Sequence, residues 1–310
     1  MKKFTLLIIP LLLFVATLSA QTLEELEAKL AAKKDTLGRL ENEVNDIQAE
    51  IDALPGWHIG AFGTVGINIA NFSNWFQKEI PNSEGGAIGF TVNGYANYDD
   101  PKQFWRSAGT LNLGWVKFDD TDDPDDEDGY RQATDIFNVS SLYGRKLTKT
   151  IAASALMEYR SSILSNFNDP GYLDLGVGGT WSPATGFFVV VHPLNTNIVF
   201  ADSESIFESS FGAKIMVDYS REFASGISIK SNLSNFLSYK NTDLSNWTWT
   251  NAFGYTLWKN IGIGLEFGLR GNRQETLNYE ITVLGNEDAT FDTIDNKLQS
   301  YFLAGISYKF

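Results

Sequence analysis

The sequence predicts an all-β fold, an antiparallel transmembrane β-barrel of about twelve strands preceded by an α-helical coiled-coil segment. Three observations predict it. The last segment, residues 299–310, has the period of a strand. Phe302, Ala304, Ile306, Tyr308 and Phe310 share one face, while Gln299, Tyr301, Leu303, Gly305, Ser307 and Lys309 share the other. A greasy face ending in a terminal aromatic is the usual last strand of an outer-membrane barrel. From Trp57 onward, alternating segments of this kind are joined by connections that are short and long in turn. The N-terminus carries a secretory pattern, which puts the chain on the route to that membrane.

The elements follow in order. Lys2 and Lys3 precede an apolar run over 6–18, and Leu18, Ser19 and Ala20 form a cleavage site before Gln21. The run is too short for a mature spanning helix, so residues 1–20 read as a signal peptide. Cysteine is absent, which excludes lipoprotein attachment, disulfides and cysteine-based metal sites.

Residues 21–55 read as a periplasmic coiled-coil helix. Leu23, Leu26, Leu30, Leu37, Leu40, Val44, Ile47, Ile51 and Leu54 fall at spacings of three and four, with one lapse at Lys33. With Leu23 at a, the a positions are Leu23, Leu30, Leu37, Val44 and Ile51, and the d positions are Leu26, Lys33, Leu40, Ile47 and Leu54. So narrow a seam favours self-association, or a periplasmic partner, over packing on the chain's own barrel, where the helix would act as a plug. Pro55 and Gly56 stop the helix.

Residues 56–310 read as the barrel. Strand candidates span 57–70, 87–98, 104–118, 135–145, 150–161, 172–182, 187–196, 208–220, 226–240, 247–258, 261–271 and 298–310. With both termini in the periplasm, the short connections become periplasmic turns. The longer ones, including 71–86, 119–134 and 272–297, become extracellular loops. Trp57, Trp105, Trp181 and Trp258 fall at one set of strand ends; Trp75, Trp115, Trp247 and Trp249 fall at or near the other. Two interfacial belts are the expected reason.

Several motifs resemble an uncharacterised family of Bacteroidetes outer-membrane β-barrels, filed as a domain of unknown function. They are Asn71, Phe72, Ser73, Asn74 and Trp75 followed by Gly85 and Gly86; the stretch 131–144; Asp169 to Tyr172; Trp181, Ser182 and Pro183; and Pro193 to Ile198. The resemblance runs over about 57–310, excludes the coiled coil and implies fold and address. It carries no catalytic pattern.

Chemistry is sparse. The only histidines, His58 and His192, sit on the first and seventh strand candidates, on opposite sides of a closed sheet, and no nucleophile–base pair is evident. A hydrolase is therefore the least favoured class, and no cofactor is expected. Pro193 after His192 suggests a bulge. The acidic run over 119–128 offers weak Ca²⁺ ligands in Asp122, Asp123, Asp125, Asp126 and Asp128, but the EF-hand register fails: counting back from Gly129 puts Pro124 at the first ligand position. A solvated loop, or divalent cations shared with lipopolysaccharide, is the expectation. The net charge of −14 argues against nucleic acid. The inward parity offers Arg106, Glu158, Arg160, Asp174, Lys214, Asp218, Lys230, Glu266 and Arg270 as lumen-lining candidates. On the lipid side each Arg or Lys would cost roughly 2–4 kcal/mol near the midplane, and each acid somewhat less. Such a lumen suits a small-solute pore, or a closed structural barrel that tethers the helix to a partner.

Overall fold

The structure, a computed structural model, describes residues 8–52, 54–76, 81–120, 130–164, 167–184, 186–202, 206–223, 226–258 and 261–309. The chain divides into two compact units, Met1–Leu54 and Pro55–Phe310. The first contains one helix, α1 (Ile8–Asp52). Its Leu, Glu, Lys and Ala content is strongly helix-forming. It ends three residues before Pro55, which has no amide hydrogen to continue the ladder. Along the helix Leu23, Leu26, Leu30, Leu37, Leu40, Val44 and Ile47 are all exposed. Among the described residues no helix is long and apolar enough to cross a membrane.

The second unit is a closed antiparallel barrel of twelve strands. They are β1 (Gly56–Ser73), β2 (Ser83–Asp99), β3 (Gln103–Asp120), β4 (Tyr130–Lys146), β5 (Ile151–Ser161), β6 (Gly171–Ala184), β7 (Phe187–Phe200), β8 (Ser210–Glu222), β9 (Ile227–Ser238), β10 (Asn246–Trp258), β11 (Ile261–Asn272) and β12 (Gln299–Lys309). Each pairs with its sequence neighbours, and β1 closes on β12 from Thr64 opposite Lys309 to Ser73 opposite Ser300. Closure leaves no open edge, which is the condition for a sheet to satisfy its backbone without water. Eight strands run longer than the sequence suggests, mostly toward the end with the longer connections, while β5, β9 and β12 run slightly shorter. Two short elements there escape the periodicity: a 3₁₀ turn, Thr242–Leu244, and a helix, α2 (Arg273–Thr282), in the connection between β11 and β12.

Polarity is inverted relative to a water-soluble fold. Along β5, Ile151 and Met157 are exposed, whereas Ser154, Leu156 and Glu158 are buried. Elsewhere on the outside, Ile67 is 70% exposed and Ile306 60%, while the inward Asp174 is 0% and Lys214 1% exposed. Aromatic side chains gather at the ends of the outer face. Trp57, Tyr98, Trp105 and Tyr143 gather across β1 to β4 at the short-turn end: the Trp57 ring centroid lies 5.4 Å from that of Tyr98 and 6.1 Å from that of Trp105, and the Trp105 centroid lies 6.4 Å from that of Tyr143. Trp75 departs from the expected second belt. It packs edge-on against the inward-facing Tyr301 at 5.0 Å, and a cation from the interior, Arg270, sits over its ring.

A bulge between His192 and Asn195 breaks the β7–β8 register. Pro193 lacks the ladder donor and marks the place. One extra residue reverses parity, so the even-numbered His192 and the odd-numbered Asn195 and Asn197 all face inward.

Candidate functional site

The interior of the barrel is the candidate site. The register puts Arg106, Glu158, Arg160, Asp174, Lys214, Asp218, Lys230, Glu266 and Arg270 on the inward-facing parity. They do not form one constellation. Glu158 and Arg160 on β5, Asp174 on β6 and Lys214 on β8 converge on a buried cluster. Lys214 Nζ lies 2.9 Å from Asp174 Oδ2 and 3.2 Å from Glu158 Oε2, and Arg160 Nη2 lies 3.1 Å from Asp174 Oδ2. Carboxamides complete the shell. Asn195 and Asn197 donate to Asp174 Oδ1 at 2.9 and 3.1 Å, and Asn138 donates to Glu158 Oε1 at 3.1 Å. The cluster holds two acids and two bases, so its formal charge is zero. Buried charges need this degree of pairing to persist.

Nearer the short-turn end the interior on the same side is apolar. Phe104, Leu142, Ala152, Leu156 and Val190 pack together, with Phe188 and Met216 against them. Gly144 is required there, since the Phe104 ring occupies the space a Cβ would take. Arg106 reaches across from β3, its guanidinium 5.2 Å from the Phe104 ring centre and 5.1 Å from that of Phe188 on β7. Asp218 accepts from Asn232 at 2.9 Å.

Within the apolar layer lies a chain of hydrogen bonds. Thr180 donates to Ser154 Oγ at 2.8 Å, and Ser154 Oγ lies 2.8 Å from His192 Nε2. Sequence reasoning found no nucleophile–base pair, so this contact is a correction. It escaped because Ser154 and His192 stand on strands flanking β6 and meet over Gly178, a position without a side chain. Ser154 is 7% exposed and His192 0%, so the pair offers no face to a substrate. Asn195 Oδ1 and His192 Nδ1 press on Gly176, whose Cβ would stand 2.5 and 2.9 Å from them.

At the long-connection end α2 folds over the interior. Asn272 caps it, accepting from the amides of Gln274 and Glu275 at 3.1 and 3.4 Å. Gln274, Glu275, Thr276 and Leu277 are buried. Glu275 pairs with Arg270, and Arg273 pairs with Asp243 and donates to the Phe291 carbonyl. Gln274 accepts from the Glu208 amide at 2.8 Å. Burial pushes the Glu275 carboxyl above its usual range, against the opposing pull of Arg270 and Arg160. Trp75, Tyr301 and Glu266 extend the cover, with the Tyr301 hydroxyl donating to Glu266.

The opposite side of the interior is different. Tyr95 faces inward yet is 40% exposed, and Ala108, Ser228 and Lys230 also face inward and are exposed. Among the described residues the lumen is thus filled beside β3 to β8 and reached by solvent at Tyr95, Ala108, Ser228 and Lys230 on β2, β3 and β9. Width explains the division. Eight strands close around their own side chains and sixteen leave a channel, so twelve leave space that side chains fill on one side only.

Other expectations fall elsewhere. Asp122, Asp123, Asp125, Asp126 and Asp128 lie outside the described residues, as does Phe310, and of Ile51 only the helical backbone is described. Among the described residues no group of three or more carboxylate or imidazole side chains is disposed to hold a metal ion.

No curated protein matches the chain. Among solved structures it is similar to an outer-membrane channel, COG4313, from Pseudomonas putida F1, at 11% identity and a TM-score of 0.41, covering 83% of this chain and 97% of that one. It is similar to the NanC porin at 10% identity and 0.40, covering 79% and 100%. It is also similar to an anion-selective porin from Comamonas acidovorans at 10% and 0.36, covering 82% and 100%. Residues 67–167 match a family described as a protein of unknown function, DUF3078. That stretch takes in the Asn71 to Trp75 motif and 131–144, and it stops before the motifs at 169–172, 181–183 and 193–198.

Proposed function

We propose that this chain is an outer-membrane barrel that passes small solutes through the open side of its lumen. The observation that carries the reading is the inverted polarity combined with one-sided filling: apolar side chains outward, paired charges inward, and a wetted inner wall beside Tyr95 and Ala108. Charged residues belong on the lumen side of such a barrel, and the aromatic row of Trp57, Tyr98, Trp105 and Tyr143 suits a headgroup interface. We read residues 1–20 as a signal peptide, 21–55 as a periplasmic helix and 56–310 as the barrel, in a Bacteroidetes-type outer membrane. The short turns then face the periplasm and the longer connections face outward. The helix self-associates as a coiled coil, and the acidic loop, with no cofactor of its own, meets divalent cations and lipopolysaccharide. The chain is read as non-enzymatic.

The full-length protein reconstituted in planar bilayers tests this. Small, reproducible conductance steps are expected, since α2 narrows the mouth. A protein that is heat-modifiable and inserted but never conducts would overturn the pore.

A second reading has its own support. The apolar layer and the buried α2 residues favour a closed barrel that tethers the exposed helix seam to a periplasmic partner. Silence in the bilayer together with co-purification through 22–54 is its signature.

A further inference from the structure

We infer that the open side of the lumen is a path for neutral, hydroxyl-rich solutes that discriminates little between small cations and anions. This rests on the pore reading above and names what the pore carries. Charge selectivity in a pore comes from unbalanced charged side chains along the route. Here the densest charges are withdrawn from it. Glu158, Arg160, Asp174 and Lys214 neutralise one another inside the filled side, and Asp174 and Lys214 are sealed from solvent.

The wetted wall presents different chemistry. Asn93 and Thr110 face inward on β2 and β3, half-buried and joined by a 2.9 Å bond from the Thr110 hydroxyl to the Asn93 carboxamide oxygen. Tyr95 lies one inward step from Asn93 toward the short-turn end. These groups donate and accept hydrogen bonds without carrying charge, as a polyol requires.

Lys230 is an exposed cation on the inward face. The register supplies its counter-charge. Lys230 stands opposite Ala252, and Ala252 stands opposite Glu266, so an acid and a base share one row with only a methyl group between them. Two strand spacings separate them by about 10 Å, close to the Debye length at 0.1 M salt. The row adds no net charge to the route.

Full-length protein in planar bilayers under a KCl gradient tests the inference, together with swelling of vesicles in glucose. The K⁺/Cl⁻ permeability ratio should fall within about twofold of one, and glucose should enter. Asn93→Asp puts a carboxylate on the wetted wall and should move the ratio at least about threefold toward K⁺. A conducting pore with a strong preference for one ion overturns the inference and leaves the pore reading standing. So does one closed to glucose, or one whose ratio ignores Asn93→Asp. A folded protein with neither conductance nor swelling overturns both.

Discussion

Removing Lys214 is the sharpest perturbation available to the buried cluster. Lys214→Met keeps much of the side-chain length and deletes the charge. Asp174 would retain Arg160 at 3.1 Å and two carboxamide donors. Glu158 would retain one neutral donor, Asn138. The exposed cost is therefore mainly that of one buried carboxylate left short of a partner. Breaking a buried pair by removing one member costs about 3–5 kcal/mol, and the surviving Arg160 contacts put the expected value near 3. Adding Glu158→Gln restores a one-to-one balance between Asp174 and Arg160. The double variant should recover about 1–2 kcal/mol, as coupled neighbours do. Urea unfolding of vesicle-inserted protein, followed by tryptophan fluorescence, reads both numbers. A single variant within about 1 kcal/mol of the parent, or a double variant that loses the sum of its parts, would mean that water reaches the cluster and the filled side is not filled.

Further expectations follow from other contacts. Gly176→Ala should destabilise the barrel by about 1–3 kcal/mol through overpacking against Asn195 and His192, read as a lowered unfolding midpoint in the same assay. Asp100 accepts from the amides of Lys102 and Gln103 at 2.6 and 2.8 Å, and the Lys102 bond foremost holds its carboxyl below the usual range. Its contribution is present above the ordinary carboxylate range and is lost as pH falls through the depressed value. Asp100→Ala should flatten thermal stability between neutral and acid pH, and an unchanged profile would rule that bond out as its source. Leu40→Asp should dissociate the full-length protein in analytical ultracentrifugation while heat-modifiable migration persists; unchanged association would remove the helix seam from the interface.

The twelve strands were legible because lipid outside and polar contents inside impose a period of two wherever a strand crosses, and the alternation around Phe302, Ala304 and Ile306 is typical. The charged cluster was legible as a parity but not as a cluster. Which of the inward residues meet depends on closure and on the bulge at Pro193, and a bulge shifts every later side chain by one face. The Ser154–His192 contact spans the intervening β6 at the bare Gly178, which neither strand's own periodicity reveals. The helix α2 did leave a signal: Asn272 followed three residues later by Glu275 is a capping pattern. The helix has only a weak apolar stripe, so its burial against the interior could not be read from periodicity. Trp75 was misassigned for a related reason, since loop residues have no fixed face.

The pairing of β1 with β12 also bears on how the chain comes to be folded. The seam joins Thr64–Ser73 to Ser300–Lys309, partners separated by most of the sequence. Contacts so distant along the chain demand a large loop entropy before they return anything, and they form slowly. A growing chain has neither a finished sheet nor a covered edge until its last dozen residues are available. Each intermediate exposes two unpaired strand edges and an apolar exterior, the combination that aggregates in water. Closure of the sheet is therefore bound to a late event, the arrival of β12 beside β1.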